Sequence, residues 1–124
     1  MSQENETNDP IERFISDWYW DEKSHDYARQ LGRFLFGFLD SLKAQGFSEK
    51  TINKHWRNCY LIGVFDCGYG YRDRFSPKIV FSSPDASYEY EFKRKVSDSD
   101  YAVSSYNSTW RKVHNYTKKL GAIQ

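Results

Sequence analysis

The chain has 124 residues, a formal net charge of +1 and an aromatic content of 19%. This length is typical of one domain and can bury a core without disulfides or metals. Its two cysteines stand eight positions apart, with no paired cysteine motif or histidine cluster beside them, so neither a disulfide framework nor a zinc site is predicted. The sequence contains no secretory signal and no apolar run of about 20 residues, which predicts a soluble, cytoplasmic protein without a membrane span.

Charge is distributed unevenly along the chain. Residues 1–27 carry a net charge of −6, whereas the remaining residues carry +7. Residues 1–9 are polar and lack an apolar period, which predicts a disordered acidic leader ahead of a single helical domain over residues 10–124. The leader either competes for a polyanion-binding surface on that domain or is a solvated tail, and composition leaves both interpretations open.

Apolar periodicity predicts two helices in the first part of the chain. A short amphipathic helix covers residues 10–19, and a longer one runs over about residues 24–45. Asp21 or Ser24 is the expected N-cap of the longer helix, and Gly46 is expected to end it in the left-handed conformation. The apolar stripe of this second helix is wide, so we expect several neighbours to pack around it.

Large aromatic side chains must supply much of the core, because leucine, isoleucine and valine are few. Each large aromatic side chain buries roughly 150–250 Å². The expected anchors of the core are the four tryptophans, Trp18, Trp20, Trp56 and Trp110.

A third helix is predicted to begin at the N-cap Ser48 and to end between residues 66 and 70. One face of this helix is apolar, and Cys59 is expected to pack there as a small apolar residue. The opposite face carries Lys50, Lys54 and Arg57 at positions i, i+4 and i+7, which places them together as one basic ridge.

Residues 78–93 are predicted to form a β-hairpin. The segments 78–82 and 88–93 flank a turn-rich stretch, and aromatic and charged residues alternate along the second segment. A short helix from Ser87 onward is the competing interpretation, because its glutamates and lysines also suit a helix.

A last helix is predicted over about residues 97–121. Arg111 and Lys118 share one of its faces, with Lys112 and Lys119 beside them. The predicted fold class is therefore mostly α, a four-helix single domain with a short β-hairpin before the last helix.

Residues 34–65, which read FLFGFLDSLKAQGFSEKTINKHWRNCYLIGVF, resemble a known helix pair. A Phe-Leu-rich helix, a Gly turn and a Ser-x-x-Thr-Ile helix start are similar to the N-terminal core-binding (SAM-like) domain of tyrosine recombinases, the phage-integrase family. The resemblance implies that Thr51, Lys54 and Arg57 face DNA. The catalytic domain of that family carries a His-x-x-Arg signature, and no histidine here has arginine three positions later. The resemblance thus implies DNA association without catalysis.

The second half of the chain resembles a small bacterial family to which no activity is attached. That family follows a Ser-x-x-Thr-Ile-x-x-His helix with a Thr-x-Arg-Lys-aromatic helix. The matching positions are Ser48, Thr51, Ile52, His55, Thr109, Arg111 and Lys112.

No catalytic motif occurs, and His25, His55 and His114 are scattered along the chain. His55 and His114 are expected to be neutral surface residues, with a phosphate contact as the alternative. The sequence therefore predicts a non-catalytic protein without cofactor or metal, whose expected partner is duplex DNA. A solvated basic face remains an open alternative, as does a protein–protein interaction module that uses exposed tyrosines. The expected nucleic-acid-binding residues are Ser48, Thr51, Lys54, Arg57, Arg111, Lys112 and Lys118, and the tyrosines of the alternative are Tyr69, Tyr71 and Tyr88.

Overall fold

The computed structural model describes residues 9–121, within which the chain forms six helices and no strand. Residues 1–8 of the predicted acidic leader and the last three residues lie outside the described part. None of the helices in residues 9–121 combines the length and apolar character needed to cross a bilayer. The helices are α1 (Pro10–Phe14), α2 (Glu22–Ala44), α3 (Glu49–Tyr69), α4 (Pro77–Val80), α5 (Glu89–Lys95) and α6 (Asp100–Lys119).

The long helices begin and end close to the positions that their capping residues predict. The Asp21 carboxylate accepts a hydrogen bond from the Ser24 backbone N–H at 2.9 Å, which starts α2. Gly46 follows α2 with φ +88°, the left-handed conformation that glycine adopts most easily. The Ser48 hydroxyl accepts from the Thr51 backbone N–H at 3.2 Å and starts α3.

The helix α2 packs against α1, α3 and α6, in agreement with its wide apolar stripe, while α5 packs on α6. The chain reverses between α2 and α3 over only four residues, 45–48, so these two helices lie side by side. The buried stripe of α2 includes Ala28, Leu31, Leu35, Phe38 and Leu42.

The predicted β-hairpin over residues 78–93 is wrong. Two short helices, α4 and α5, occupy this segment instead, so the competing interpretation of a helix after Ser87 is the one observed. Phe92 is buried and stacks on Tyr106 of α6, with ring centroids 4.7 Å apart. The alternation of aromatic and charged residues also fits one short helix whose single buried ring packs on a neighbouring helix.

The predicted first helix is shorter than expected, because α1 ends at Phe14 rather than near residue 19. The chain continues in turns, and Trp18 donates its backbone N–H to the Ile15 carbonyl at 2.8 Å. Both Ile15 and Trp18 are nevertheless buried, since a turn keeps the same apolar side chains against the core.

Only two of the four tryptophans anchor the core. Trp18 and Trp110 are 2% and 1% exposed, whereas Trp20 and Trp56 are 62% and 39% exposed. Trp20 lies in the turn before α2, where its ring meets that of Tyr71 edge to face, with centroids 5.4 Å apart. Trp56 stacks at the surface, parallel to the ring of Tyr60. The prediction that all four tryptophans lie in the core is therefore wrong for Trp20 and Trp56.

Candidate nucleic-acid interface

The middle of α3 is joined to α6 by a buried polar contact. The amide of Asn58 donates to the hydroxyls of Ser105 and Thr109, at 3.0 and 2.9 Å. The imidazole Nδ1 of His55 lies 2.6 Å from the same Thr109 hydroxyl. Because later positions of α3 meet earlier positions of α6, the two helices run antiparallel. We call the surface channel above this contact the α3–α6 groove.

The side chains of Lys54 and Arg57 line the α3–α6 groove. They border a depression of about 260 Å³ together with Asn58, Tyr101 and Ser105. The position of Lys54 and Arg57 at i and i+3 on α3 places both cations on the same side of that helix. The groove thus carries two of the cations that the sequence assigns to nucleic-acid binding.

Lys112 of α6 carries a third cation beside the groove, although its side chain borders a separate depression together with Phe47 and Lys119. Its ammonium group lies 5.3 Å from the centre of the Phe47 ring, just before the start of α3. Both Lys112 and Lys54 are close enough to His55 to disfavour its protonation. The positive charges of the two helices are therefore neighbours, although the helices are far apart in the sequence.

The remaining predicted cations of α6 lie elsewhere. Arg111 borders a different depression, which it shares with Lys93, Asp98 and Asp100. Lys118 is exposed seven positions later, and a spacing of seven residues returns to nearly the same helix face. The structure therefore divides the predicted basic face of α6 between two surfaces, and only Lys112 accompanies the ridge of α3.

The hydroxyl groups predicted to contact phosphate lie at the start of α3. Ser48 donates its hydroxyl to the Thr51 hydroxyl at 3.1 Å and accepts from the Thr51 backbone N–H. Capping already engages both side chains, so their first role is structural. Thr51 lies about one turn, and Ser48 nearly two turns, before Lys54.

The basic side chains of the predicted site carry unbalanced charge. Within residues 9–121, Lys54, Arg57 and Lys112 form no ion pair with a carboxylate, and neither do Arg111 and Lys118. Other cations do form such pairs. In α5, for example, the Lys93 ammonium lies 3.0 Å from a Glu89 carboxylate oxygen. Unpaired cations on neighbouring helices give a local positive potential that attracts polyanions.

The prediction that the histidines lie at the surface is wrong for His55 and His114. Their exposed fractions are 1% and 7%. Burial, reinforced by the charges of Lys54 and Lys112, lowers the pKa of His55 to about 4. His114 places its Nδ1 2.8 Å from the Phe81 carbonyl. Both imidazoles pack against residues that are distant in the sequence, and no local pattern signals such contacts.

The sequence pattern did not single out Asp66, a buried carboxylate that is bonded to two tyrosine hydroxyls. Asp66 of α3 accepts hydrogen bonds from the hydroxyls of Tyr27 and Tyr88, at 2.6 and 2.7 Å. Burial raises the pKa of Asp66, although the two hydroxyls and the charge of Arg72 act in the opposite direction. The available signal was its spacing, because Asp66 stands seven positions after the buried Cys59 on one helix face.

Neither thiol is suited to nucleophilic chemistry. Cys59 and Cys67 are buried in α3 and free, which agrees with the expected apolar role of Cys59. Burial raises the pKa of both thiols, to about 12 for Cys67. A protonated, buried thiol is a poor nucleophile and a poor metal ligand.

Among the described residues, no three His, Cys, Asp or Glu side chains come together as candidate metal ligands. The chain matches no protein-family model, no curated protein and no solved structure. The resemblance to recombinase core-binding domains therefore stays a prediction carried by its own motifs.

Proposed function

We propose that this protein associates with DNA through the α3–α6 groove and catalyses no reaction on it. The observation that carries this proposal is that Lys54 and Arg57 share one groove, with Lys112 close by next to His55, and that all three cations lack a carboxylate partner among residues 9–121. Lysine and arginine bind nucleic acid by neutralising phosphates and releasing condensed counterions. The resemblance to the recombinase core-binding domain supports the same binding face of α3, because it implies that Thr51, Lys54 and Arg57 face DNA.

The groove is suited to binding and poorly suited to catalysis. The buried His55 is held neutral by a pKa of about 4, so it is not available as a cation for phosphate. The two thiols are protonated and enclosed by the core. The groups that remain at the surface are permanent cations and hydroxyls, which position a phosphate backbone without activating it.

The test is a binding measurement by fluorescence anisotropy with labelled DNA of about 16 nucleotides, offered as duplex and as single strand. Three phosphate contacts predict a slope of log K against log salt of about −2.7 for duplex and −2.1 for single-stranded DNA. Affinity should then fall about 40-fold or 20-fold, respectively, between about 50 and 200 mM salt.

The decisive variant is the double substitution Lys54→Glu with Arg57→Glu. It removes two of three contacts, so the salt slope should shrink to roughly one third of its original value. The matched control is Lys23→Glu with Arg33→Glu, which changes the net charge equally at exposed positions of α2. Equal weakening in both variants would show that total charge, and not the groove, attracts DNA, and the proposal would be wrong.

A protein–protein interaction module is the second candidate, and the exposure of Trp20 favours it. Tryptophan is enriched at the energetic centres of protein interfaces, and the Trp20 ring is 62% exposed. Of the tyrosines expected to serve this function, Tyr69 is 50% exposed, while Tyr88 is half-buried and bonded to Asp66. This candidate predicts no salt-dependent DNA binding and loss of a protein partner when Trp20 is replaced by alanine.

A further inference from the structure

The ten tyrosines of the chain divide into two groups. Seven are buried or half-buried, whereas Tyr69, Tyr90 and Tyr101 are 50%, 69% and 79% exposed. The hydroxyls of these three make no hydrogen bond within residues 9–121, unlike those of Tyr27 and Tyr106, which bond inside the fold. The hydroxyls of the exposed group are therefore not used inside the fold, although the Tyr69 ring still lies beside those of Phe65 and Tyr88.

All three exposed rings lie around α5, at one end of the α3–α6 groove. Tyr101 borders the same depression as Lys54 and Arg57. Tyr69 belongs to the last turn of α3, and Tyr90 belongs to α5 itself. Tyr101 therefore lies in the groove itself, while Tyr69 and Tyr90 lie on the helices α3 and α5 that flank it.

Two more cations accompany these rings. The Lys95 ammonium lies 5.2 Å from the centre of the Tyr69 ring, and the Arg94 guanidinium lies 5.6 Å from that of Tyr90. Neither cation forms an ion pair within the described residues. The ion pair on this helix joins Glu89 to Lys93. Exposed rings alternate here with unpaired positive charges.

We propose that the α3–α6 groove binds an unpaired, single-stranded segment of DNA, whose phosphates lie on Lys54 and Arg57 and whose bases stack on Tyr101 and its neighbouring rings. This inference rests on the proposed DNA association and specifies the form of the ligand. Aromatic rings interleaved with cations bind single strands, because each unstacked base offers a face to a ring. The bases of a duplex are already stacked on one another, so the exposed tyrosines add nothing to duplex binding.

The dimensions of the groove suit a short strand. The part of α3 from Lys54 to Tyr69 is about 22 Å long at 1.5 Å per residue. A stacked strand rises about 3.4 Å per phosphate, so this length accommodates at most about six nucleotides, and fewer when the bases are unstacked. Sites of this size fall within the roughly 4–16 nucleotides that single-strand-binding surfaces contact.

An anionic membrane surface is the other polyanion that cations and aromatic rings can attract. The shape of the groove does not suit a membrane surface, because a concave channel between two helices cannot lie flat on a bilayer. The exposed large aliphatic side chain at the groove is Val96, while Ile79 and Leu120 are exposed on other parts of the fold. Vesicle binding is therefore included as an outcome that would overturn the inference.

The experiment compares three probes of about 16 nucleotides, namely a single strand, the corresponding duplex and an abasic strand that keeps the phosphates but lacks bases. Vesicles of anionic lipid serve as a fourth probe. The variants are Tyr101→Ala and Tyr101→Phe, with Trp20→Ala as an exposed aromatic control outside the groove. Because Tyr101 is 79% exposed, these substitutions should leave folding intact, which circular dichroism checks.

The expected result is tighter binding of the single strand than of the duplex, with a loss of roughly fivefold or more for Tyr101→Ala on the single strand. The same substitution should not change binding of the abasic strand, because only stacking has been removed. Tyr101→Phe and Trp20→Ala should bind the single strand nearly as well as the original protein.

Two outcomes would overturn this inference while the proposed DNA association survives. The first is duplex binding at least as tight as single-strand binding, and the second is an equal effect of Tyr101→Ala on normal and abasic strands. Binding to vesicles that loses affinity with Tyr101→Ala, without binding to any DNA probe, would overturn both proposals in favour of a membrane surface. Absence of DNA binding in every form would likewise overturn both.

Discussion

Replacing the buried His55 with glutamine should remove the loss of stability that protonation of His55 causes between about pH 6.5 and 5. The pKa of His55 is lowered from 6.5 to about 4, first by burial and then by the charges of Lys54 and Lys112. The unfolded chain therefore takes up a proton at this site between pH 6.5 and pH 4, whereas the folded protein does not. The contribution of His55 to the free energy of unfolding is fully present above pH 6.5 and is lost as the pH falls from 6.5 to 4.

The size of the effect follows from the two pKa values. At about pH 5, protonation of the unfolded chain at His55 lowers the free energy of unfolding by about 2 kcal/mol. The limit at lower pH is about 3 kcal/mol, set by the full separation of the two pKa values at 1.36 kcal/mol per unit. Glutamine at this position keeps an amide that can reach the Thr109 hydroxyl, and it cannot be protonated.

The assay is urea-induced unfolding, followed by circular dichroism at several values between about pH 5 and 7.5. The glutamine variant should be less stable at neutral pH, and it should lose about 2 kcal/mol less than the original protein on acidification. Asp66, whose pKa is raised by burial, changes stability in the opposite sense near its own pKa. Because Asp66 titrates in both proteins, the difference between them isolates His55.

A matched variant, His25→Gln, identifies the histidine responsible. His25 is half-buried at the surface, where its Nε2 lies 2.9 Å from a Glu12 carboxylate oxygen. This variant should keep the steep loss of stability below pH 6.5. If His55→Gln and the original protein lose stability in parallel between pH 7.5 and 5, the buried position of His55 does not control protonation and the reasoning is refuted.

Two further predictions concern packing and buried polarity. In α3, Gly63→Ala should lower the free energy of unfolding by about 2 kcal/mol in thermal unfolding, because a Cβ there would lie 2.0 Å from the buried Trp18 ring. Gly68→Ala, on the same helix with nothing within 4 Å, should instead be neutral or stabilising by up to about 1 kcal/mol, and destabilisation by both would contradict the packing argument. Tyr27→Phe should cost roughly 1–3 kcal/mol in urea unfolding, because buried Asp66 loses one of its two hydroxyl donors. An unchanged stability at neutral pH would show that water replaces the missing hydroxyl.

The long helices follow from local sequence alone, because caps and apolar periods act between residues only a few positions apart. Ser48 begins α3 through the backbone N–H of a residue three positions later. Gly46 ends α2 through its own φ of +88°. The cations Lys54 and Arg57 also lie on a common face of α3, since helix geometry alone places positions i and i+3 together.

The contacts between side chains of different helices depend on how the helices pack, which local sequence does not specify. Residues 89–95 form a helix rather than a strand because Phe92 finds a buried site against Tyr106. His55 is buried because Thr109, 54 positions later, lies 2.6 Å from its ring. Helix geometry already turns Arg111 and Lys112 about 100° apart, but the neighbouring elements decide which depression each of them borders. Local sequence fixes the face of a helix on which a residue lies, but the neighbouring helix determines whether that face becomes core, groove or open surface.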